Sequence, residues 1–441
     1  MQQAKFLQGS VLKHVMTMSA TNAIGISALF WVDLVDIYFI SLLGNPALTA
    51  AIGYATALLF FTTSISIGLV AANSANVAKA IGQKKSAKAC RYVSHISLYA
   101  LCLTSFLSLL LWCFVPQLLT IIGAKGEALN AASSYLRIIL PSFPILAVAM
   151  QMGATLRAVG DGKAAMLATL GGGLVNALLD PIFIFLFQMD LQGAAIASFI
   201  ARFFMLAIGF YFVFFKYKIL TFPRFDLLQS DIKKISVTAI PAILTQIATP
   251  IGNLYVTYEV AKFGNEYIAG WAIIGRLIPV AFGLMFAISG AIGPIIGQNY
   301  GALKFNRVRK VLNESLKFIT SYTLVVALFL SLTQDMIVTL FNAQNQSAEI
   351  IRIFCQYIAI SFIFSGITFI TMAFLNNLGY AKYATFLNVG KMTLGTIPFV
   401  SIGALYFQAP GILYGQAFGN IIFGIFSLLL TYKIMSMIEK T

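Results

Sequence analysis

The sequence predicts an all-α membrane protein of twelve transmembrane helices, arranged as two six-helix lobes related by pseudo-twofold symmetry around a central cavity. Three observations carry this prediction. The 441 residues are 59% hydrophobic and only 10% charged, with 38 Phe and a mean hydropathy of +0.89, a balance that excludes a soluble globular domain. Apolar windows of about 20 residues, the length that crosses a bilayer, recur twelve times between polar or Gly/Pro breaks. The two halves also resemble each other: Ile81-Gly82-Gln83 before a basic loop answers Ile296-Gly297-Gln298, and the stretch from Leu156 to Gly160 answers that from Leu375 to Gly379.

The first window, 14–43, follows a lead too polar for a signal peptide and is long enough to stay as a helix. It carries Asp33 and Asp36 and ends at Gly44. The second, 47–77, precedes the first basic loop. The third, 92–115, has no charge from Leu98 to Val115, and the fourth, 129–153, carries Met150 and Met152, adaptable side chains that suit a cavity for varied apolar ligands. The fifth, 164–188, contains Asn176, Asp180 and Pro181, and the sixth, 191–215, brings Ser198. The longest charged interruption follows, from Lys216 to Lys234. It divides the chain into an amino-terminal lobe (1–215), a cytoplasmic linker (216–235) and a carboxy-terminal lobe (236–441).

The seventh window, 236–262, opens near Pro241 and closes on Glu259 and Lys262, spaced for an i,i+3 salt bridge. The eighth, 267–296, holds Arg276 and enters a stripe of Gly290, Gly293, Gly297 and Gly301 that reads as close helix contacts. The ninth, 313–334, is uncharged from Ile319 to Leu332; the tenth, eleventh and twelfth fall at 349–376, 383–407 and 411–436. Each half has an even number of spans, so the copies are parallel repeats. Rocking of two such lobes exposes a cavity alternately to each side.

The net charge of +15 points to membrane orientation and not to nucleic acid. Of the 29 Lys and Arg, all but Lys125, Arg137, Arg202, Lys262, Arg276 and Arg352 fall on one side when the helices are numbered alternately; Lys391 is counted on that side. The positive-inside rule then places both termini in the cytoplasm. The four cysteines lack metal-ligand or redox spacing, and His14 and His95 are isolated, so these read as packing residues. Gly171 to Gly173 lacks the Gly-Lys-Ser/Thr ending of a phosphate loop, which argues against transport driven by ATP hydrolysis within this chain; a transporter and not an enzyme is expected.

Asp36 and Asp180 stand out because an acid deep in a membrane is costly and marks a functional site by default. Asp36 lies eight residues before Gly44 and Asp180 nine before Met189, so both sit about 12–14 Å from the same membrane face at 1.5 Å per residue. Ser198 reaches a similar depth. Asn176 precedes Asp180 by one helical turn and shares its face. Burial disfavours the ionised form of any carboxylate, a neighbouring carboxylate disfavours it further, and such a pair titrates as a unit. The cluster therefore suits H⁺, while two carboxylates, an amide oxygen and a hydroxyl at Asp36, Asn176, Asp180 and Ser198 equally form a hard oxygen set for Na⁺. A structural ion pair with Arg137 or Arg202 is the plainer reading. Asp33, one turn from Asp36, reads as a residue facing water in the cavity.

These residues resemble a known family. Val35-Asp36-Ile37-Tyr38-Phe39 with Leu43-Gly44, Asn176-x-x-x-Asp180-Pro181-Ile182-Phe183-Ile184, Gly193-Ala194-Ala195-Ile196-Ala197 and Gly297-Gln298-Asn299-Tyr300-Gly301-Ala302 are similar to the multidrug and toxic compound extrusion (MATE) family over nearly the whole chain. Acids on helices one and five, without an obvious carboxylate in the core of the second half, resemble its DinF-like branch. The resemblance implies a twelve-helix antiporter of the bacterial inner membrane that expels cationic or amphipathic compounds in exchange for H⁺ or Na⁺. It matches Asp36, Asn176 and Asp180 to coupling-ion residues, and Ser198 stands where a Thr is usual. The family often has a proline early in helix one, implicated in bending it. Here that position is Thr21, the repeat counterpart Pro241 is present, and Gly25 is left, with Pro181, as a hinge candidate.

The expectation is thus a monomeric secondary antiporter surrounded by lipid, with no cofactor beyond its coupling ion and no nucleic-acid partner. The rival is a flippase for a lipid-linked oligosaccharide, which resembling folds also perform.

Overall fold

The computed structural model describes residues 4–440, excepting the side chains of Asp33, Leu34, Ile37, Ser41, Pro46, Thr49 and Asn265. Asp33, expected in a cavity, thus falls outside the described side chains. The regular elements are helices throughout: α1 (Val11–Ser41), α2 (Pro46–Gly82), α3 (Ser86–Cys113), α4 (Val115–Ile121), α5 (Gly126–Ile139), α6 (Phe143–Ala158), α7 (Gly162–Pro181), α8 (Asp190–Phe210), α9 (Phe225–Ala261), α10 (Asn265–Ala281), α11 (Gly283–Gly301), α12 (Phe305–Leu340), α13 (Asn345–Ile353), α14 (Phe362–Leu378), α15 (Ala381–Met392) and α16 (Ile397–Lys440).

Ten described stretches are long and apolar enough to cross a membrane, and α10 with α11, bent by 43° at their break, makes an eleventh. The stretch Ala381–Lys440 has 60 residues, about 90 Å of helix at 1.5 Å per residue. It breaks at Phe407 and Gln408, whose backbone is not helical. That length serves the two predicted crossings at 383–407 and 411–436, giving twelve in all.

Proline explains where predicted windows and helices part. The fourth window breaks around Pro141 and Pro144 into α5, a 3-10 turn at Leu140–Ser142, and α6, because proline has no N–H to continue the ladder. The fifth gives way after Pro181 to a π turn at Ile182–Leu186. Gly193 of α8 lets that turn come close: a Cβ there would stand 2.7 Å from the Phe183 carbonyl carbon. Only glycine fits such an approach to backbone.

The helices gather into two compact units, one built on Thr21–Ala239 and the other on Phe6–Ala20 with Ile240–Thr441. The division falls after Ala239, whereas the sequence suggested a separate linker at 216–235, and the opening turns of α1 belong with the second unit. Helix α9 already begins at Phe225, and residues before and inside it are tied to α3. Asp231 accepts from Arg91 Nε at 2.6 Å and meets His95 Nδ1 at 3.0 Å, while the Arg224 amide donates to His95 Nε2 at 3.1 Å. Ser94 Oγ donates to the Thr221 carbonyl at 2.6 Å. His95 is therefore not an isolated packing residue; its partner lies 136 positions away.

Each unit has its own apolar core. Ile40, Ala55, Leu119, Leu136 and Ala195 pack in the first. Phe282, Ile296, Leu312, Phe354 and Phe374 pack in the second. The Glu259–Lys262 pair forms at 2.7 Å as its spacing predicts.

Candidate functional site

Helix α1 runs without a break from Val11 to Ser41 and delivers Asp36; α7 delivers Asn176 and Asp180 one turn apart. The three meet in the first unit. Asn176 Nδ2 donates to Asp36 Oδ1 at 2.8 Å and to Asp180 Oδ2 at 2.8 Å. One amide thus bridges two carboxyl groups that are only 6% and 0% exposed, and is itself 2% exposed. Asp180 Oδ1 is buried and has no hydrogen-bond partner among the described residues, although an unmet buried carboxylate oxygen is costly. Chemically, that oxygen is free to take a proton or to accept a further donor.

Of the two arginines offered by the plainer ion-pair reading, Arg202 is close enough for its charge to act on Asp36, and both also make contacts away from the cluster. Arg202 Nη1 donates to Ser142 Oγ at 2.8 Å and to the Ile139 carbonyl at 3.3 Å, and the Arg137 guanidinium lies over the Trp112 ring at 5.7 Å. Ser198 is half-buried on α8 and makes no hydrogen bond with the cluster among the described residues. Equal depth set its height along the helix but not the direction it faces.

Met152 corrects another expectation. It is 1% exposed and packs in the first unit's core against Gly209, where a Cβ would stand 2.9 Å from its own. Met150 is half-buried on α6. At the hinge candidates, α1 is continuous through Thr21 and Gly25, and α9 is continuous through Pro241, whose carbonyl accepts from Thr245 Oγ1 at 2.9 Å and Thr385 Oγ1 at 2.7 Å. Pro181 alone coincides with a change of helix type.

A second polar cluster lies where α6 gives way to α7. Asp161 caps α7 by accepting from the Ala164 amide at 3.0 Å, and it also accepts from Tyr217 Oη at 2.5 Å and Lys216 Nζ at 3.1 Å. Partial burial pushes its carboxyl up, but the hydrogen bonds from Tyr217, Ala164 and Lys216 outweigh this and hold it below the usual carboxylate range. Burial and the Asp161 carboxylate push the Tyr217 hydroxyl up. Distance in sequence hid this pairing, as it hid that of His95.

The MatE family model matches residues 23–182 and again 241–402. The chain belongs to the MatE family. The doubled match follows the internal repeat, and it makes this MatE chain a multi-pass membrane transporter, not an enzyme. Among curated relatives, the "FAD transporter" of Shewanella oneidensis is 27% identical over 442 residues, covering 99% of this chain and 97% of that protein. "Multidrug export protein MepA" of Staphylococcus haemolyticus is 27% identical over 405 residues, covering 88% and 86%. The Vibrio cholerae MATE transporter VcmN in its bent form shares the fold with a TM-score of 0.92 at 24% identity, covering 97% of this MatE chain and 98% of that one.

Proposed function

We propose that this chain is a secondary active exporter that exchanges organic compounds for H⁺, with Asp36, Asn176 and Asp180 as the coupling site. The observation that carries the reading is the single amide shared by two buried carboxyl groups. Two ionised carboxylates in such a place repel each other, so the cluster gains by taking up a proton, and losing it changes the charge that α1 and α7 must hold. Na⁺ is the second ion to consider. Asn176 turns its N–H₂ group, and not its oxygen, toward both acids, which counts against a Na⁺ held by all three side chains, since that ion needs oxygen ligands.

For the substrate, the MepA relatives support export of varied drugs, which matches the cationic or amphipathic compounds implied by family resemblance. The FAD transporter, aligned over almost the whole chain, supports a second reading in which the cargo is a flavin dinucleotide. Efflux of ethidium and of FAD, followed in vesicles under a pH gradient or a Na⁺ gradient imposed separately, tests coupling and cargo together. The expected result is substrate movement driven by the pH gradient and lost in Asp36→Asn and Asp180→Asn. Unchanged movement in both variants sinks the coupling site; a response to Na⁺ alone sinks the proton.

A further inference from the structure

The charged interruption between the two repeats carries two phenylalanines that the chain leaves bare. Phe222 is 94% and Phe225 74% exposed, on either side of Pro223 and Arg224. A slack segment would turn such rings inward, because burying apolar surface is favourable. This segment is not slack. Ser94 Oγ donates to the Thr221 carbonyl at 2.6 Å and accepts from the Thr221 amide at 3.1 Å, and the Arg224 amide donates to His95 Nε2 at 3.1 Å. The backbone is thus fixed on both sides of Phe222 to two buried polar groups of α3. Before it, Ile219 is buried and its amide donates to the Val213 carbonyl at 3.1 Å.

The same bonds set the height of the segment. On α3, Lys88 and Arg91 come just before Ser94 and His95, and the uncharged run from Leu98 comes just after. Ser94 and His95 therefore mark the level at which α3 passes from headgroups to hydrocarbon. Thr221 and Arg224, bonded to them directly, lie within a side chain's length of that level. The span before the segment closes in keeping with this: Tyr211, Phe214 and Phe215 are exposed at the end of the apolar stretch Asp190–Lys216, as aromatic rings are where a span meets the membrane interface. Of the exposed basic residues in 216–234, Arg224 pairs with Asp226 at 2.8 Å and Lys216 with Asp161 at 3.1 Å. Lys218, Lys233 and Lys234 remain as net positive charge, since Asp231 is already matched by Arg91 and His95.

We infer that the segment 217–234 is a foot set in the membrane interface: Phe222 and Phe225 enter the boundary between headgroups and acyl chains, and Lys218, Lys233 and Lys234 attract anionic phospholipid. Binding at an interface scales with the apolar area buried and with attraction to negative headgroups, and the two rings and three lysines supply one term each. The leaflet is the one that the positive-inside expectation makes cytoplasmic, where anionic lipid gives the surface its negative potential. Ser94 and His95 thereby have a use inside an apolar helix. They hold the backbone at the height where its rings meet the interface.

The test uses the full chain in liposomes, with Phe222→Trp and Phe225→Trp made one at a time. Each is read as the emission it adds over wild type, which has Trp31, Trp112 and Trp271. Phosphatidylcholine and phosphatidylglycerol brominated on their acyl chains quench a tryptophan that they touch. The added emission is expected at short wavelength and quenched by both lipids. Bromine near the headgroup end of the chain should quench more than bromine near its methyl end, as a depth of about 5–10 Å requires. In mixed liposomes phosphatidylglycerol should be favoured over phosphatidylcholine at both positions, and Lys218→Gln should lower that preference by up to about fivefold. Long-wavelength emission without quenching means that the rings face water or a protein partner, and overturns the inference. So does equal quenching by the two lipids, or a preference for phosphatidylglycerol that survives Lys218→Gln, Lys233→Gln and Lys234→Gln together. The readout involves neither efflux nor the aspartates, so failure of the coupling site leaves this result untouched.

Discussion

At the scale of single residues, the amide of Asn176 is the most heavily used group in the site. Asn176→Ala removes both of its donated bonds and leaves two buried carboxyls unmet, at a cost of about 1–3 kcal/mol each. Thermal unfolding in detergent should show the loss, and efflux should fall with that of the aspartate variants. A variant as stable as wild type contradicts the bridging role. Asp161 makes a prediction about pH. Its carboxyl is held below the ordinary range in the folded chain, so its stabilising contribution is fully present above the unfolded value of about 3.9 and is lost as pH falls through the lower, folded one. The stability difference between wild type and Asp161→Asn should be constant near neutral pH and shrink below about pH 4; a difference that grows in acid contradicts the assignment. Asp36, Asn176 and Asp180 were legible in the sequence because polarity, helical spacing and depth all agreed. Ser198 and Met152 were not, because depth and residue type say nothing about which way a side chain faces.

At the scale of elements, the helices that carry the acids differ in where they can give. Helix α7 passes into a π turn after Pro181, whereas α1 is uninterrupted through Thr21 and Gly25. A Cβ at Gly25 would stand 3.8 Å from Met166 Cα and from the Thr169 side chain, an ordinary contact. Gly25→Ala should therefore fit and stabilise the helix by about 0.5–1 kcal/mol through lower chain entropy. If α1 bends at Gly25 during transport, the same variant should be more stable and slower. Raised stability with unaltered efflux removes Gly25 as a hinge. The windows were legible from hydrophobicity alone, since a span must be long and apolar. The π turns and the extension of α9 into the supposed linker were not, because they depend on contacts with α8 and α3.

At the scale of the whole molecule, an exporter of the kind proposed would work against a gradient, and one charge crossing 100 mV supplies about 2.3 kcal/mol, enough for roughly fiftyfold accumulation. The segment joining the two repeats is held down meanwhile: Asp231 is 1% exposed between Arg91 and His95. Arg91→Leu leaves that carboxylate with His95 as its remaining side-chain partner and should destabilise the protein by about 3 kcal/mol or more, with faster proteolysis between 216 and 234; unaltered cleavage there means the tether is dispensable. The duplication was plain in the sequence. Its division between units was not, because hydropathy cannot reveal that α1 changes allegiance at Thr21. Within the first unit, Asp36 lies fifteen residues beyond Thr21, about 22 Å along a helix whose backbone is unbroken. No loop or kink on that path can absorb a displacement at the acid, so the stretch from Thr21 to Asp36 responds as a single stiff lever.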